Sequence, residues 1–545
     1  MKRFLSLALC AAVLLSLLPA ARAADAGSAA KALTGTEYHA IYQVSAAHRV
    51  FVTAGSDDLA ADAGERLYSF DGKLLLKAKR IALGEDLLTV STADGQGLYT
   101  YDLREAVPCV YGAVYPAGTR YAVAVSAEKQ DRRERWYGAR RLYDLSTGAV
   151  VSELPAGYGT DAVTLPDGTA VTPREIQRYF PAAAAYHTQR AWFDEDKTPK
   201  AAGDFTLERG SDGTTTIRRG DRSIHVDIAA DEVDAPWEEN DYLAAAGDPS
   251  TRRTALYTAR GRKIAESGDS SIVLLAGGAY YALQPLDTRQ PTSVYTIDGV
   301  LVGTYDQIDA FTGISTQMRC DREDVMIVEK GGRYGLTQLQ KSEPQPHAWA
   351  AEEASAAVSD GLVSEETRLW WRDSCTRAEC CSILMRVIER RTGKNGNALG
   401  TKPLPSFSDC AAEDVRTAAS LGIVKGYAGG AFHPDEFVTR QEAACMLART
   451  AAFLGISAAE AAPSFADDDA FAPWAAEAIL TVAGIRSQRS RKAVMGGVGG
   501  SRFAPAGSYT VEQAAASALR LIESETAPDE KISGLQCLKP GTFPD

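Results

Sequence analysis

Apolar and polar positions alternate in short runs between about residues 36 and 340, then switch to helical spacing. In the first part, β-branched and aromatic runs are broken by Asp-Gly and Gly turns. Examples are Leu67-Tyr68-Ser69-Phe70-Asp71-Gly72, Leu142-Tyr143-Asp144 ahead of Gly148, and Val294-Tyr295-Thr296-Ile297-Asp298-Gly299. Related pairs stand at Leu98-Tyr99 and Leu256-Tyr257. Each reads as a strand that runs into a tight turn and a second strand. Successive tyrosines of this set are 31, 44, 114 and 38 residues apart. Since 114 is three times 38, a loose repeat of about 40 residues is expected, as in propeller blades or an open β-repeat array.

A Pro-marked linker at 341–346, Lys341-Ser342-Glu343-Pro344-Gln345-Pro346, separates this region from one rich in Ala, Glu and Arg. There one pattern recurs three times. An Ala-rich helical stretch ends in Gly361-Leu362-Val363, Gly422-Ile423-Val424 and Gly484-Ile485, at intervals of 61 and 62 residues. Gly suits the left-handed position that ends a helix. A loop follows, carrying Phe432-His433-Pro434 in the second copy and Phe503-Ala504-Pro505 in the third; Leu369 stands where the first would have its Phe. A second helix then starts at Thr376, Thr439 and Thr510. The copies span about 346–397, 404–456 and 463–524, leaving a tail at 525–545.

The second helices open with Thr376-Arg377-Ala378-Glu379, Thr439-Arg440-Gln441-Glu442 and Thr510-Val511-Glu512-Gln513. All three fit the capping box, in which Thr accepts from the N3 amide and Glu or Gln reaches back. Thr376, Glu379, Thr439, Glu442, Thr510 and Gln513 are therefore read as helix-capping residues. Arg377 and Arg440 stand apart. A cation at the first helical position opposes the helix dipole, at a cost of about 0.3–1 kcal/mol. Free helix amides beside a guanidinium would make a carboxylate or phosphate receptor; the plain alternative is a side chain extended into solvent.

Together with Phe407-Ser408-Asp409, Lys425-Gly426-Tyr427 and Gly430-Ala431-Phe432-His433-Pro434, these residues closely resemble the S-layer homology (SLH) motif. The third copy matches through Phe465-Ala466-Asp467, Trp474-Ala475 and Phe503-Ala504-Pro505. The first matches through Trp349-Ala350 and an intact Thr-Arg-Ala-Glu, but lacks the Phe-x-Asp start and the Gly-x-Phe-x-Pro loop. The resemblance covers about residues 346–524. It implies a three-pronged helical domain that holds an exported protein non-covalently to secondary cell-wall polysaccharide, often through pyruvylated sugars, in grooves between repeats. A pyruvyl ketal presents a carboxylate. By position, the resemblance makes Arg377 and Arg440 the charge-pairing residues and Asp409, Gly426 and Trp474 groove residues, with Trp474 also readable as core. Val511 cannot pair with an anion, so one or two working grooves are expected rather than three. The run from Val294 to Leu336 resembles WG-type repeats, with Tyr in the place of the usual Trp.

Charge and composition narrow the rest. The 545 residues carry 58 Lys+Arg against 71 Asp+Glu, a formal net charge of −13. That balance argues against a nucleic-acid binder, which needs a basic footprint. With 45% hydrophobic residues, wholesale disorder is excluded. Lys2-Arg3, an apolar run at 4–18 and Ala21-Arg22-Ala23 read as a signal peptide over 1–23. The run is shorter than the roughly 20 residues of a membrane span, so no transmembrane segment is expected in the mature chain. Eight cysteines would remain, Cys109, Cys320, Cys375, Cys380, Cys381, Cys410, Cys445 and Cys537. Their spacings fit neither a disulfide scaffold nor a zinc site, and buried free thiols are expected.

No G-x-S-x-G, P-loop or H-E-x-x-H occurs. Asp194-Glu195-Asp196 and Glu238-Glu239-Asn240-Asp241 are read as solvated charge, because glycosidase carboxylates are defined by three-dimensional spacing. Asp467-Asp468-Asp469 lacks the alternation of a calcium loop. No metal or cofactor is implied. The expectation is a multidomain chain: a β-rich body over 24–340, propeller-like or a WG-type β-repeat array, followed by an α-helical triplet. It would be a bacterial cell-wall or S-layer protein that binds and does not catalyse. The alternative is a wall-anchored hydrolase acting on polysaccharide or peptide, with its active site in 36–340.

Overall fold

The computed structural model describes residues 30–54, 64–133, 135–174, 205–219, 222–234, 242–247, 253–309, 319–320, 324–340, 343–400, 403–458 and 463–525. The signal-peptide reading, both carboxylate clusters and Cys537 lie outside them. The chain forms two compact units, Met1–Ser342 and Glu343–Asp545.

In the first unit the described strands make seven sheets of three to five strands and one two-stranded ladder. Chain neighbours pair antiparallel: Arg80–Leu83, Leu87–Ser91, Gln96–Thr100 and Glu105–Tyr111 form one such meander. Apolar cores lie between consecutive sheets. Val50, Val52 and Leu67 of one sheet meet Ile81, Leu83 and Leu88 of the next, and Leu275, Tyr280 and Val294 meet Ile308, Met326 and Val328. The last sheet returns to the first, since Ile41, Val44 and Phe51 share a core with Val325, Ile327 and Leu336. The strand Ala30–Ala32 also pairs with Arg333–Leu339, Ala30 opposite Leu339. An amino-terminal strand that completes the final sheet covers an edge that would otherwise be open to pairing. The body is β-rich and propeller-like.

The five tyrosines of the sequence pattern occupy one structural position. Tyr68, Tyr99, Tyr143, Tyr257 and Tyr295 each stand next to last in a strand, beside a register shift at Leu67/Tyr68, Leu98/Tyr99, Leu142/Tyr143, Leu256/Tyr257 and Val294/Tyr295. In four of the five the following residue opens the same turn. Ser69, Thr100, Thr258 and Thr296 donate their N–H to the carbonyls of Lys73, Arg104, Arg262 and Val300. Gly72, Gly261 and Gly299 supply the left-handed residue, at φ 80°, 85° and 82°, and Leu103 takes the same place at 66°.

The second unit is helical: α1 (Ala351–Ser359), α2 (Arg377–Thr392), α3 (Gly396–Leu399), α4 (Glu413–Ser420), α5 (Arg440–Phe453), α6 (Ala476–Gly484) and α7 (Val511–Ile522). Copies one, two and three contribute α1–α2, α4–α5 and α6–α7, with α3 as connector. One core runs through all three, including Ala357, Leu362 and Ile388, then Ile423, Phe432 and Leu447, then Ile479, Phe503 and Leu519. Just ahead of each second helix the copies meet in a closed cycle of backbone bonds. Cys375 N donates to Tyr509 O (2.8 Å), Tyr509 N to Val438 O (3.2 Å) and Val438 N to Cys375 O (3.0 Å). Cys109, Cys375, Cys380, Cys381, Cys410 and Cys445 are buried free thiols. No helix among the described residues is long and apolar enough to cross a membrane.

Candidate functional site

Each second helix begins against the loop of another copy, so the unit has three seams. Backbone amides at a helix start are ordinarily orphans; here they are taken. Arg377 N donates to Glu436 O (2.8 Å) and Ala378 N to Pro434 O (3.0 Å); Arg440 N donates to Gly507 O and Gln441 N to Pro505 O, both at 2.9 Å. At the third seam Val511 N donates to Asp373 O (3.0 Å) and Glu512 N to Trp371 O (2.8 Å). Thr376, Thr439 and Thr510 accept from the N3 amides of Glu379, Glu442 and Gln513. The expected receptor of free helix amides is thus corrected: the neighbouring copy and the cap consume the first three donors.

Glu379 and Glu442 return to the Thr376 and Thr439 amides at 2.9 and 2.7 Å, which completes two capping boxes. Gln513 does not. Its Oε1 accepts instead from Arg440 Nη1 at 3.0 Å, so the third box is half made.

Both arginines turn inward, with only 7% of Arg377 and 4% of Arg440 exposed. Arg377 donates from Nε to Phe432 O (3.0 Å) and from Nη2 to Lys425 O (3.2 Å). Its Cζ lies 4.8 Å from the Tyr427 ring centre and 4.7 Å from that of Phe432. Arg440 repeats the pattern from Nε to Phe503 O (2.8 Å) and from Nη2 to Gly496 O (2.6 Å), with Cζ 4.8 Å from the Phe503 ring. Carbonyl oxygens and aromatic faces therefore offset the dipole penalty that a bound anion was expected to offset. The two sites differ in the third nitrogen. Arg440 Nη1 is held by Gln513, whereas Arg377 Nη1 has no protein acceptor among the described residues.

The other expected groove residues also have structural employment. Asp409 accepts Phe432 N (2.7 Å) and His433 N (2.8 Å), and Asp467 accepts Phe503 N and Ala504 N, both at 2.8 Å. The clamp is needed because His433 and Ala504 sit at φ 56° and 57°. Gly426 allows a close approach: a Cβ there would lie 2.6 Å from the Phe407 ring and 2.8 Å from Ala431 O. Trp474 packs against the helical core, and its carbonyl faces the Cys445 thiol.

Several residues at the seams were not singled out from the sequence. Lys425 is exposed beside Arg377. Tyr427, 37% exposed, donates its hydroxyl to Glu436 (3.2 Å) and meets His433 edge-on at 4.8 Å. Tyr427 and Val498 are equivalent, donating N–H to Ala431 O and Arg502 O. The second seam accordingly has Gly496, Val498 and Ala504 where the first has Lys425, Tyr427 and His433. Arg386, Arg449 and Arg520, each nine residues past Arg377, Arg440 and Val511, donate to Gly361 O, Ile423 O and Ala493 O. That shared offset was the signal available.

Residues 405–444 match the family model of the S-layer homology domain. They are an S-layer homology domain. The SLH domain is the middle copy's first helix, loop and second helix start, and it contains Asp409, Tyr427, Arg440 and Glu442. Over 103 residues the chain is 34% identical to an exoglucanase XynX of Acetivibrio thermocellus, a match that covers 18% of this chain and 10% of that protein. An amylopullulanase of Thermoanaerobacterium thermosulfurigenes matches at 34% over 103 residues, covering 18% of this chain and 6% of the relative. The chain thus spans a tenth or less of the length of these relatives. Among solved structures, the β-propeller domain of Cps50 (Swd1) from Myceliophteria thermophila is 12% identical over 56% of this chain and 98% of its own, at a TM-score of 0.20. Hsv2 of Kluyveromyces lactis is 8% identical over 55% and 98%, at a TM-score of 0.17. Scores this low add nothing to the sheet topology. SLH domains bind cell-wall polysaccharide, and this one supports anchoring of the chain at a bacterial cell surface.

Proposed function

We propose that the chain is an exported surface protein that the SLH triplet tethers to secondary cell-wall polysaccharide through carboxylate-bearing, pyruvylated sugars. The seam between copies one and two is the working groove. One observation carries this: Arg377 keeps Nη1 without an acceptor among the described residues, at a seam whose exposed residues include Lys425 and Tyr427, so one guanidinium nitrogen and a neighbouring cationic residue are available to an anionic sugar. The propeller-like body, with its WG-type likeness, is then displayed as a recognition or structural module, as in an S-layer protein. The mechanism is binding, without catalysis. The two relatives' names denote enzymes, but the match spans a tenth or less of each, so their activities do not carry over.

Arg377→Ala is a poor test, because it also removes two bonds between copies. Lys425→Glu reverses charge at the groove and leaves intact the carbonyl that Arg377 needs. The full chain should sediment with purified walls and cease to do so once the secondary polysaccharide is removed. Lys425→Glu should weaken retention by about tenfold or more. Equal sedimentation with stripped and intact walls overturns the reading.

A further inference from the structure

The polar contacts of the two arginine side chains are alike but for one nitrogen. Nε and Nη2 of Arg377 and Arg440 grip equivalent carbonyls, those of Phe432 and Lys425 and those of Phe503 and Gly496. At Arg440 the remaining Nη1 is occupied from within, by Gln513 Oε1 at 3.0 Å. The residue equivalent to Gln513 at the first seam is Glu442, which bends back to Thr439 N at 2.7 Å and Thr439 Oγ1 at 2.6 Å. A carboxylate at this position completes its own cap and leaves the neighbouring guanidinium open. Gln513 leaves its cap incomplete and places an amide oxygen where a ligand carboxylate oxygen would bind.

We infer that Gln513 is an internal substitute for the sugar carboxylate and sets the number of anion sites in this SLH triplet to one. The inference rests on the anchoring reading above and deepens it. Arg440 is then a latent site closed by a single neutral side chain. The third seam has Val511 in the arginine position and is closed by composition.

The test counts sites on the full chain by calorimetric titration with a pyruvylated methyl hexoside. The parent should bind one equivalent, and Gln513→Ala should add a second, weaker one, because Gly496 and Val498 stand where the first seam has Lys425 and Tyr427. In the Lys425→Glu background, where the first site is weakened, Gln513→Ala should still add that second site. A gain of binding cannot arise from misfolding. Parent binding of one equivalent that Gln513→Ala leaves at one, with unchanged thermal unfolding, overturns the role of Gln513 alone. Two equivalents on the parent overturn it as well. A parent chain that binds none overturns the anchoring reading and takes this inference with it.

Discussion

A carboxylate that accepts one backbone amide on each oxygen holds a loop in place. Asp409 is in that position, and the amides of Phe432 and His433 hold its carboxyl below the usual carboxylate range. The ionised form accepts both bonds more strongly than the protonated one. Its contribution is therefore complete above the ordinary carboxylate pKa and is lost as pH falls through the lowered one. Thermal unfolding followed from pH 6 down to pH 2 should fall more steeply in the parent than in Asp409→Asn, which should start lower and decline less. Parallel curves would contradict the clamp. The residue was visible in the sequence as half of a recurring Phe-x-Asp, but recurrence alone does not separate a ligand contact from a loop clamp. The arginines show the same limit. Their conflict with the helix dipole was legible; that another copy's carbonyls relieve it depends on contacts over 55 and 63 residues of sequence.

At the level of elements, local rules were legible wherever local bonds decide. The capping threonines accept from N3 amides three residues away. Thr439→Ala should cost about 1 kcal/mol in chemical denaturation of the helical unit, with Thr439→Ser close to the parent. Thr510→Ala should cost less, because its box lacks the returning bond. Equal losses at the two sites would contradict the half-made box. The β turns were equally readable, since Tyr followed by Ser or Thr and then a left-handed Gly is a short-range signal. Sheet membership was not. Across Val294–Leu336, Thr292–Thr296 and Leu301–Tyr305 belong to one sheet and Val325–Lys330 and Arg333–Leu339 to the next, a division that the residue pattern does not mark.

Across the helical unit, closure depends on contacts that join its two ends. Glu353 in α1 is buried, with Arg520 of α7 donating to both its oxygens at 2.7 and 2.6 Å and Lys492 at 3.1 Å. Burial pushes the Glu353 carboxyl up, but the Arg520 and Lys492 hydrogen bonds and charges hold it below the usual range. Glu353→Ala strands the Arg520 guanidinium and should cost about 3 kcal/mol. Loss of α1 and α7 together in hydrogen exchange, ahead of α5, would follow; an unchanged unfolding midpoint would contradict the clasp. The sequence showed three copies in a row, and neither their order nor their composition announced that the last would bond to the first.

The cycle through Cys375, Val438 and Tyr509 bears on how such a unit can change in length. In a stacked solenoid a repeat can be gained or dropped at an end, because each one touches only its neighbours. Here every copy both gives and receives one amide–carbonyl bond at a buried hub, so a two-copy version leaves a donor and an acceptor without their partners and opens the hub to water. A fourth copy has no vacancy to enter. Expansion or loss along such a lineage would have to proceed by whole triplets, and a single copy excised from it should not fold alone.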